Sequence, residues 1–303
     1  MLKKLRKDLE SSEDASVVNT VVTWPANVSN EFREATLSCA KLAEWPIELG
    51  INEPTAAALY FALKENLTPG QYAVYDFGGG TWDLSIIEVA GTEVSVLDTI
   101  GIPQCGGKDL DLCLKGLIEE KFTAETGSTI DYSEQRFGKF ENLKKSLTIR
   151  EKIDISIKHK KSPVLLTITR DEFNKSISSI LSQTEMVCST YFEKYPEIID
   201  VLLVGGSTRV PAVKQSLAKV FGKDGRTIAN PDEVVALGAA LYAGLKSDKE
   251  NLTLNQSELL SSVNFNEIAN HYLGVAALEI NENSGITELV ASYIINKGTR
   301  IPC

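Results

Sequence analysis

Apolar and polar positions along this chain switch repeatedly between a helical and a strand period, in an order that predicts an α/β fold. In MLKKLRKDLE, Leu2, Leu5 and Leu9 share one helical face. The β-branched run VVNTVVTW predicts a strand closed by Pro25, and SNEFREATLSCAKLAEW a helix with Ser29 or Asn30 as its N-cap. IELGI is a short strand. NEPTAAALYFALKEN opens a helix with Glu53 at its mouth and Pro54 in the first turn. Ala73 to Tyr75 read as a buried strand, Trp82 to Val89 alternate apolar with polar like its partner, and EVSVLDTIG follows as another strand.

The middle of the chain changes character. GGKDLDLCLKGLIEEKFTAETG is a glycine turn feeding a helix, FGKFENLKKSLT is a second helix, and KIDISIKHKKSPVLLTITR alternates as an antiparallel hairpin whose polar tip carries Pro163. A long helix, RDEFNKSISSILSQTEMVCSTYFEKY, leads back to strand, glycine turn and helix in IIDVLLVGGSTRVPAVKQSLAKVF. NPDEVVALGAALYAGLK is a further helix with Pro231 in its first turn. Residues 105–175 therefore read as an α+β subdomain inserted into a domain of residues 67–247, with 1–66 a separate segment. Residues 248–270 are polar and rich in Ser and Asn, the composition of a linker. HYLGVAALEI and ELVASYIINKGTRIP, within 271–303, are strand-like but too few to bury a core alone.

Composition narrows the class. A chain of 303 residues suggests roughly two domains and suffices for a sizeable core. The net charge of −10 argues against a nucleic-acid surface, and the densest basic run, KHKK at 158–161, reads as a solvated hairpin tip. No apolar stretch approaches the ~20 residues of a membrane span, and the N-terminal residues lack the apolar region of a signal peptide. Cys39, Cys105, Cys113, Cys188 and Cys303 are scattered, with no CxxC pair, and read as reduced thiols of a cytosol-like compartment. His159 and His271 stand alone, so neither a zinc site nor a histidine triad is on offer, and any metal must be oxygen-liganded.

In VYDFGGGTWD, Gly78, Gly79 and Gly80 stand between Asp76 and Thr81. Such a run is either a hairpin turn with a bulge or a place where backbone approaches a ligand closely. Free N–H groups in that turn would make an anion nest. VLLVGGSTR repeats the device, with Gly205 and Gly206 between a buried strand and a helix mouth. Neither pair matches GxGxxG or GxxxxGK[ST], so Rossmann and P-loop readings are weak. A carboxylate before the glycines can hold hydrated Mg²⁺, while the hydroxyl after them and the amides hold phosphate oxygens.

INEPTAAALYF, VYDFGGGTWDLSI, CGGKDLDLCL, VLLVGGSTRVPAV and NPDEVVALGAAL, in this order and spacing, resemble the ATPase domain of the heat-shock protein 70 chaperones. The resemblance implies an actin-like (ribonuclease H-like) ATPase fold, with a partial first lobe in 1–66, a complete second lobe in 67–247, and the first strands of a peptide-binding β-sandwich in 271–303. It implies ATP or ADP with Mg²⁺ as ligands. Carried over by position, Asp76 lies near the water-coordinated metal, and Glu53 organises the metal's water shell and the attacking water. Gly78, Gly79, Gly80 and Thr81 would bind the phosphates, making Glu53, Asp76 and Thr81 the implied catalytic set. Gly106 and Gly107 join the ATP-binding group; Glu141, Lys144, Lys145 and Thr148 fall at adenine and ribose; Gly205, Gly206, Ser207 and Arg209 complete the nucleoside pocket beside Asp232. Lys145 stands where a base-stacking arginine is common, and lysine stacks less well. Read without the resemblance, ENLKK is a solvated charged face and Thr208 a plain helix cap.

The resemblance also implies partners: unfolded or nascent polypeptides, J-domain co-chaperones and nucleotide-exchange factors; composition adds the expectation of no nucleic acid, no membrane and a cytoplasmic setting. Two departures qualify it. The family's first strand, its first phosphate hairpin and the lysine facing the γ-phosphate have no counterpart here, and each such electrostatic group is worth ~3 kcal/mol of transition-state stabilisation. The leucine-rich acidic interdomain linker is reduced to Leu259 and Leu260 among polar residues. Three expectations follow: the ATP-binding part of a chaperone ATPase, a non-hydrolysing nucleotide-binding regulator of another chaperone, or a fragment without independent activity.

Overall fold

A computed structural model describes residues 1–13, 19–26, 28–64, 67–90, 93–134, 139–160, 162–227, 230–261, 264–268, 273–280, 287–296 and 299–301. Lys161, His271 and Cys303, with parts of the expected linker and terminal strands, lie outside the described residues. The chain begins with α1 (Leu2–Glu13), β1 (Thr20–Trp24), α2 (Asn30–Leu42), β2 (Ile47–Asn52), α3 (Glu53–Lys64), β3 (Gly70–Phe77), β4 (Thr81–Ala90) and β5 (Glu93–Pro103). Its middle holds α4 (Gly107–Thr126), α5 (Phe140–Ile149), β6 (Lys152–Ile157), β7 (Val164–Thr169), α6 (Arg170–Ser176), α7 (Ser178–Lys194), β8 (Ile198–Val204), α8 (Pro211–Phe221) and β9 (Arg226–Thr227). It continues through α9 (Val234–Lys246), α10 (Leu254–Ser261), β10 (Asn264–Ile268), β11 (Leu273–Ile280), β12 (Thr287–Ile295) and β13 (Arg300–Ile301). This mixed α/β architecture is that of the actin-like ATPase fold, with a seven-stranded sheet in the order β13-β10-β5-β4-β3-β8-β9.

The chain divides into two compact units, and β3, β4 and β5 contribute residues to both. The first comprises Met1–Val74, Ser85–Ile100 and Glu233–Cys303. In it β1 and β2 pair in parallel, and Ile51, Ala56, Leu59, Ala239 and Tyr242 form a buried cluster joining β2, α3 and α9. The small residues of α3 and α9 let those helices approach until a Cβ on Gly238 would run into the Ala56 carbonyl. Trp24 donates its indole N–H to Asn52 Oδ1 at 3.0 Å, which satisfies two buried polar groups at the ends of β1 and β2.

The second unit comprises Tyr75–Leu84 and Gly101–Asp232. The β6–β7 hairpin follows its alternation closely, pairing Ile153 with Ile168 and Ile155 with Leu166, all four buried. The long helix expected over 170–195 is broken into α6 and α7 at Ile177, whose side chain is fully buried. Thr169 and Glu172 form a capping box that starts α6.

Two stretches differ from the pattern read along the chain. β4 alternates in sequence, yet Asp83 and Ser85 are as buried as their apolar neighbours, and Ser85 shares a 2.8 Å hydroxyl pair with Thr99. Within 248–270, polar composition concealed α10 and β10. The sequence TLNQ is a capping box: the Gln256 amide oxygen accepts from Thr253 N and Oγ1, and Thr253 Oγ1 accepts from Gln256 N. Leu260 then anchors α10, buried against Gly244 of α9. No helix among the described residues is long and apolar enough to cross a membrane.

Candidate functional site

Three glycine turns of the second unit meet at one place. Gly78–Gly80 joins β3 to β4, Gly106–Gly107 opens α4, and Gly205–Gly206 follows β8. The first closes on itself through Gly78 N to Thr81 O, 3.1 Å. Its carbonyls are then consumed by the other two turns. Gly107 N and Ser207 Oγ each donate to Gly78 O at 2.9 Å, and Lys108 N donates to Gly79 O at 2.9 Å. Among the described residues the amides of Gly79 and Gly80 donate to no carbonyl, and both glycines are exposed. The turn thus spends its Gly78 and Gly79 carbonyls on the scaffold and leaves the Gly79 and Gly80 amides without a carbonyl partner among the described residues.

Close packing explains the other glycines, against backbone at Gly106 and Gly205 and against side chains at Gly107 and Gly206. A Cβ on Gly106 would lie 2.5 Å from Gly80 N, and one on Gly107 would lie 2.8 Å from Ser207 Oγ. Gly205 sits at φ +82°, ψ 145°, a conformation nearly confined to glycine, and its N–H donates to Pro231 O at 3.1 Å. A Cβ there would overlap the Phe77 carbonyl and lie 2.7 Å from Asp76 Oδ1, so the buried Asp76 carboxylate is packed directly against Gly205. At Gly206 a Cβ would lie 2.7 Å from Asp232 Oδ1.

These turns border a cleft of about 870 Å³, within the range of small-ligand sites. Of the expected residues, Gly78, Gly79, Gly107, Glu141, Lys144, Lys145, Thr148, Gly206, Ser207, Arg209 and Asp232 line it. Asp76, Gly80, Thr81, Gly106 and Gly205 are in the same turns but outside the lining. Glu53 opens α3 in the first unit. Lys108, Asp111, Ile149, Val210, Lys214, Thr227 and Pro231 also line the cleft, though the sequence did not mark them as site residues. The spacing held one clue, since Asp111 lies a helical turn beyond Gly107 and so shares its face of α4.

The charge balance of the lining inverts that of the chain. Five cations (Lys108, Lys144, Lys145, Arg209 and Lys214) face three carboxylates (Asp111, Glu141 and Asp232). Lys145 pairs with Glu141 at 2.7 Å, which holds the Glu141 carboxyl below its ordinary range and the Lys145 ammonium above its own. Arg209 donates to Asn230 Oδ1 at 2.7 Å and to Asp232 Oδ2 at 3.0 Å. Lys144 departs from the expected solvated face of its helix: it is buried, donating to Gly107 O at 2.6 Å and pairing with Asp111 at 2.9 Å. Thr208 does not cap α8, whose N-cap is Val210 with Pro211 following; its hydroxyl donates to Gly205 O at 2.7 Å. Cys105, beside Gly106, is buried, and that burial, then the charge of Asp109, pushes its thiol up to about 11.

No group of three or more His, Cys, Asp or Glu is placed to hold a metal ion among the described residues. The buried Asp76 carboxylate, packed against Gly205, fits a magnesium ion that takes most of its ligands from water and phosphate. In comparison with known proteins, a family model described as Hsp70 protein matches residues 1–265.

Proposed function

The chain belongs to the Hsp70 protein family, and on that premise we propose that its cleft binds ATP or ADP with Mg²⁺ as the nucleotide site of a chaperone ATPase. Nucleotide binding with Mg²⁺, polypeptide substrates and co-chaperones belong to the family in general. One observation carries the reading for this chain. Gly79, whose amide donates to no carbonyl among the described residues, lines a cleft that also carries five cations, in a chain whose net charge is −10. Polar groups concentrated against the sign of the whole molecule are what an anionic ligand requires.

In this reading the phosphates lie on Gly78, Gly79, Gly80 and Thr81. Glu141, Lys144, Lys145, Thr148, Ser207, Arg209 and Asp232 surround the nucleoside. Magnesium, when bound, would neutralise charge on the phosphate oxygens, and Asp76 is the residue of this unit that would hold it. Coupling of hydrolysis to protein folding, and engagement of unfolded or nascent chains, J-domain co-chaperones and nucleotide-exchange factors, belong to the same proposal. So does a cytoplasmic, reducing setting, which the free thiols of Cys39, Cys105, Cys113 and Cys188 support.

Calorimetric titration of the folded chain with ATP and Mg²⁺ tests this. Saturable binding is expected, with Thr81→Ala about tenfold weaker through loss of one hydrogen bond to a charged oxygen. A folded chain that takes up no heat with nucleotide would refute the proposal.

A further inference from the structure

Lys144 is the only lysine or arginine among the buried residues described. An ammonium out of water costs several kcal/mol unless its protons are accepted. Two groups of α4 meet it: the Gly107 carbonyl at 2.6 Å and the Asp111 carboxylate at 2.9 Å. They are one helical turn apart and together clamp Nζ from one side. The Asp111 contact is an ion pair, not a well-aligned hydrogen bond, so it acts by charge and position. An ammonium has three N–H groups, and these two partners account for at most two. Lys144 also lines the cleft, as does Asp111.

We infer that Asp111 is a positioning residue of this site: it holds the Lys144 ammonium in place so that a remaining N–H is presented to a ligand hydroxyl. The inference rests on the nucleotide reading above, in which that hydroxyl belongs to the ribose. Without the Asp111 carboxylate, Lys144 keeps only the Gly107 carbonyl, and its four-carbon stem regains the freedom to turn away. The neighbouring Lys145 cannot substitute, because it is exposed and engaged with Glu141.

The test compares ATP with 2′-deoxy-ATP on the full chain, as the unaltered protein, Asp111→Asn and Asp111→Glu. Asn is nearly isosteric, and melting curves of all three report folding separately. The unaltered chain should prefer ATP. Asp111→Asn should weaken ATP by about tenfold, the lower end for a hydrogen bond to a charged group, while leaving 2′-deoxy-ATP nearly unchanged. Asp111→Glu, which keeps the charge, should recover part of the preference. A merely structural role would weaken both nucleotides alike and leave their ratio fixed, which would overturn the inference while preserving the nucleotide reading. An unaltered chain without affinity for either nucleotide would overturn both.

Discussion

Gly205→Ala is expected to cost about 4 kcal/mol of stability and to abolish nucleotide binding, because strain at a glycine-only conformation adds to overpacking in a closed interior. At φ +82°, ψ 145° an L side chain is strained wherever space exists, and here there is none. The Cβ would press on the Phe77 carbonyl and on Asp76 Oδ1, so relief requires β3 and the turn after β8 to separate. That movement displaces the carboxylate assigned to magnesium and breaks the Gly205 N–H to Pro231 O bond. Urea denaturation and ATP titration read the two losses. Gly79→Ala is the control: a Cβ there meets nothing within 4 Å, so stability should hold while the added methyl intrudes on the ligand face. Normal ATP affinity in Gly205→Ala would mean that this turn is not a rigid part of the site.

Gly238→Ala should destabilise the first unit by about 3 kcal/mol or more, which corresponds to a fall in melting temperature of roughly 10 °C. Helix propensity alone gives the opposite sign, since alanine in a helix interior is favoured over glycine by about 1 kcal/mol. The tertiary contact reverses it. Gly238 of α9 is buried where the helix crosses α3, and the added methyl would enter the backbone carbonyl of Ala56, which cannot rotate away. Gly116→Ala isolates the propensity effect. Gly116 is an exposed position of α4 where an added methyl would meet nothing within 4 Å, and its substitution should stabilise by about 1 kcal/mol. Thermal melts of both variants decide the matter, and equal signs would refute the helix-crossing argument.

Family membership was legible because five motifs stand in a fixed order and spacing. The turns at Gly78–Gly80, Gly106–Gly107 and Gly205–Gly206 could be placed for the same reason. The β6–β7 hairpin was legible from alternation, since one face of that pair is buried and the other is wet. The helix at 254–261 was overlooked because polar composition outweighed a four-residue capping signal, and an anchoring contact, Leu260 on Gly244, joins residues close in space through another helix.

The sequence by itself thus determined the family, the alternation of strands and helices, and the places of the glycine turns. These depend on local backbone conformation and on periodicities of a few residues. Only the tertiary structure decided the charge of the cleft, the burial of Lys144 in a helix that reads as solvated, its partnership with Asp111, and the helix crossing at Gly238. Those features join residues tens of positions apart, and burial is a property of what packs against a residue, which no short window of sequence contains.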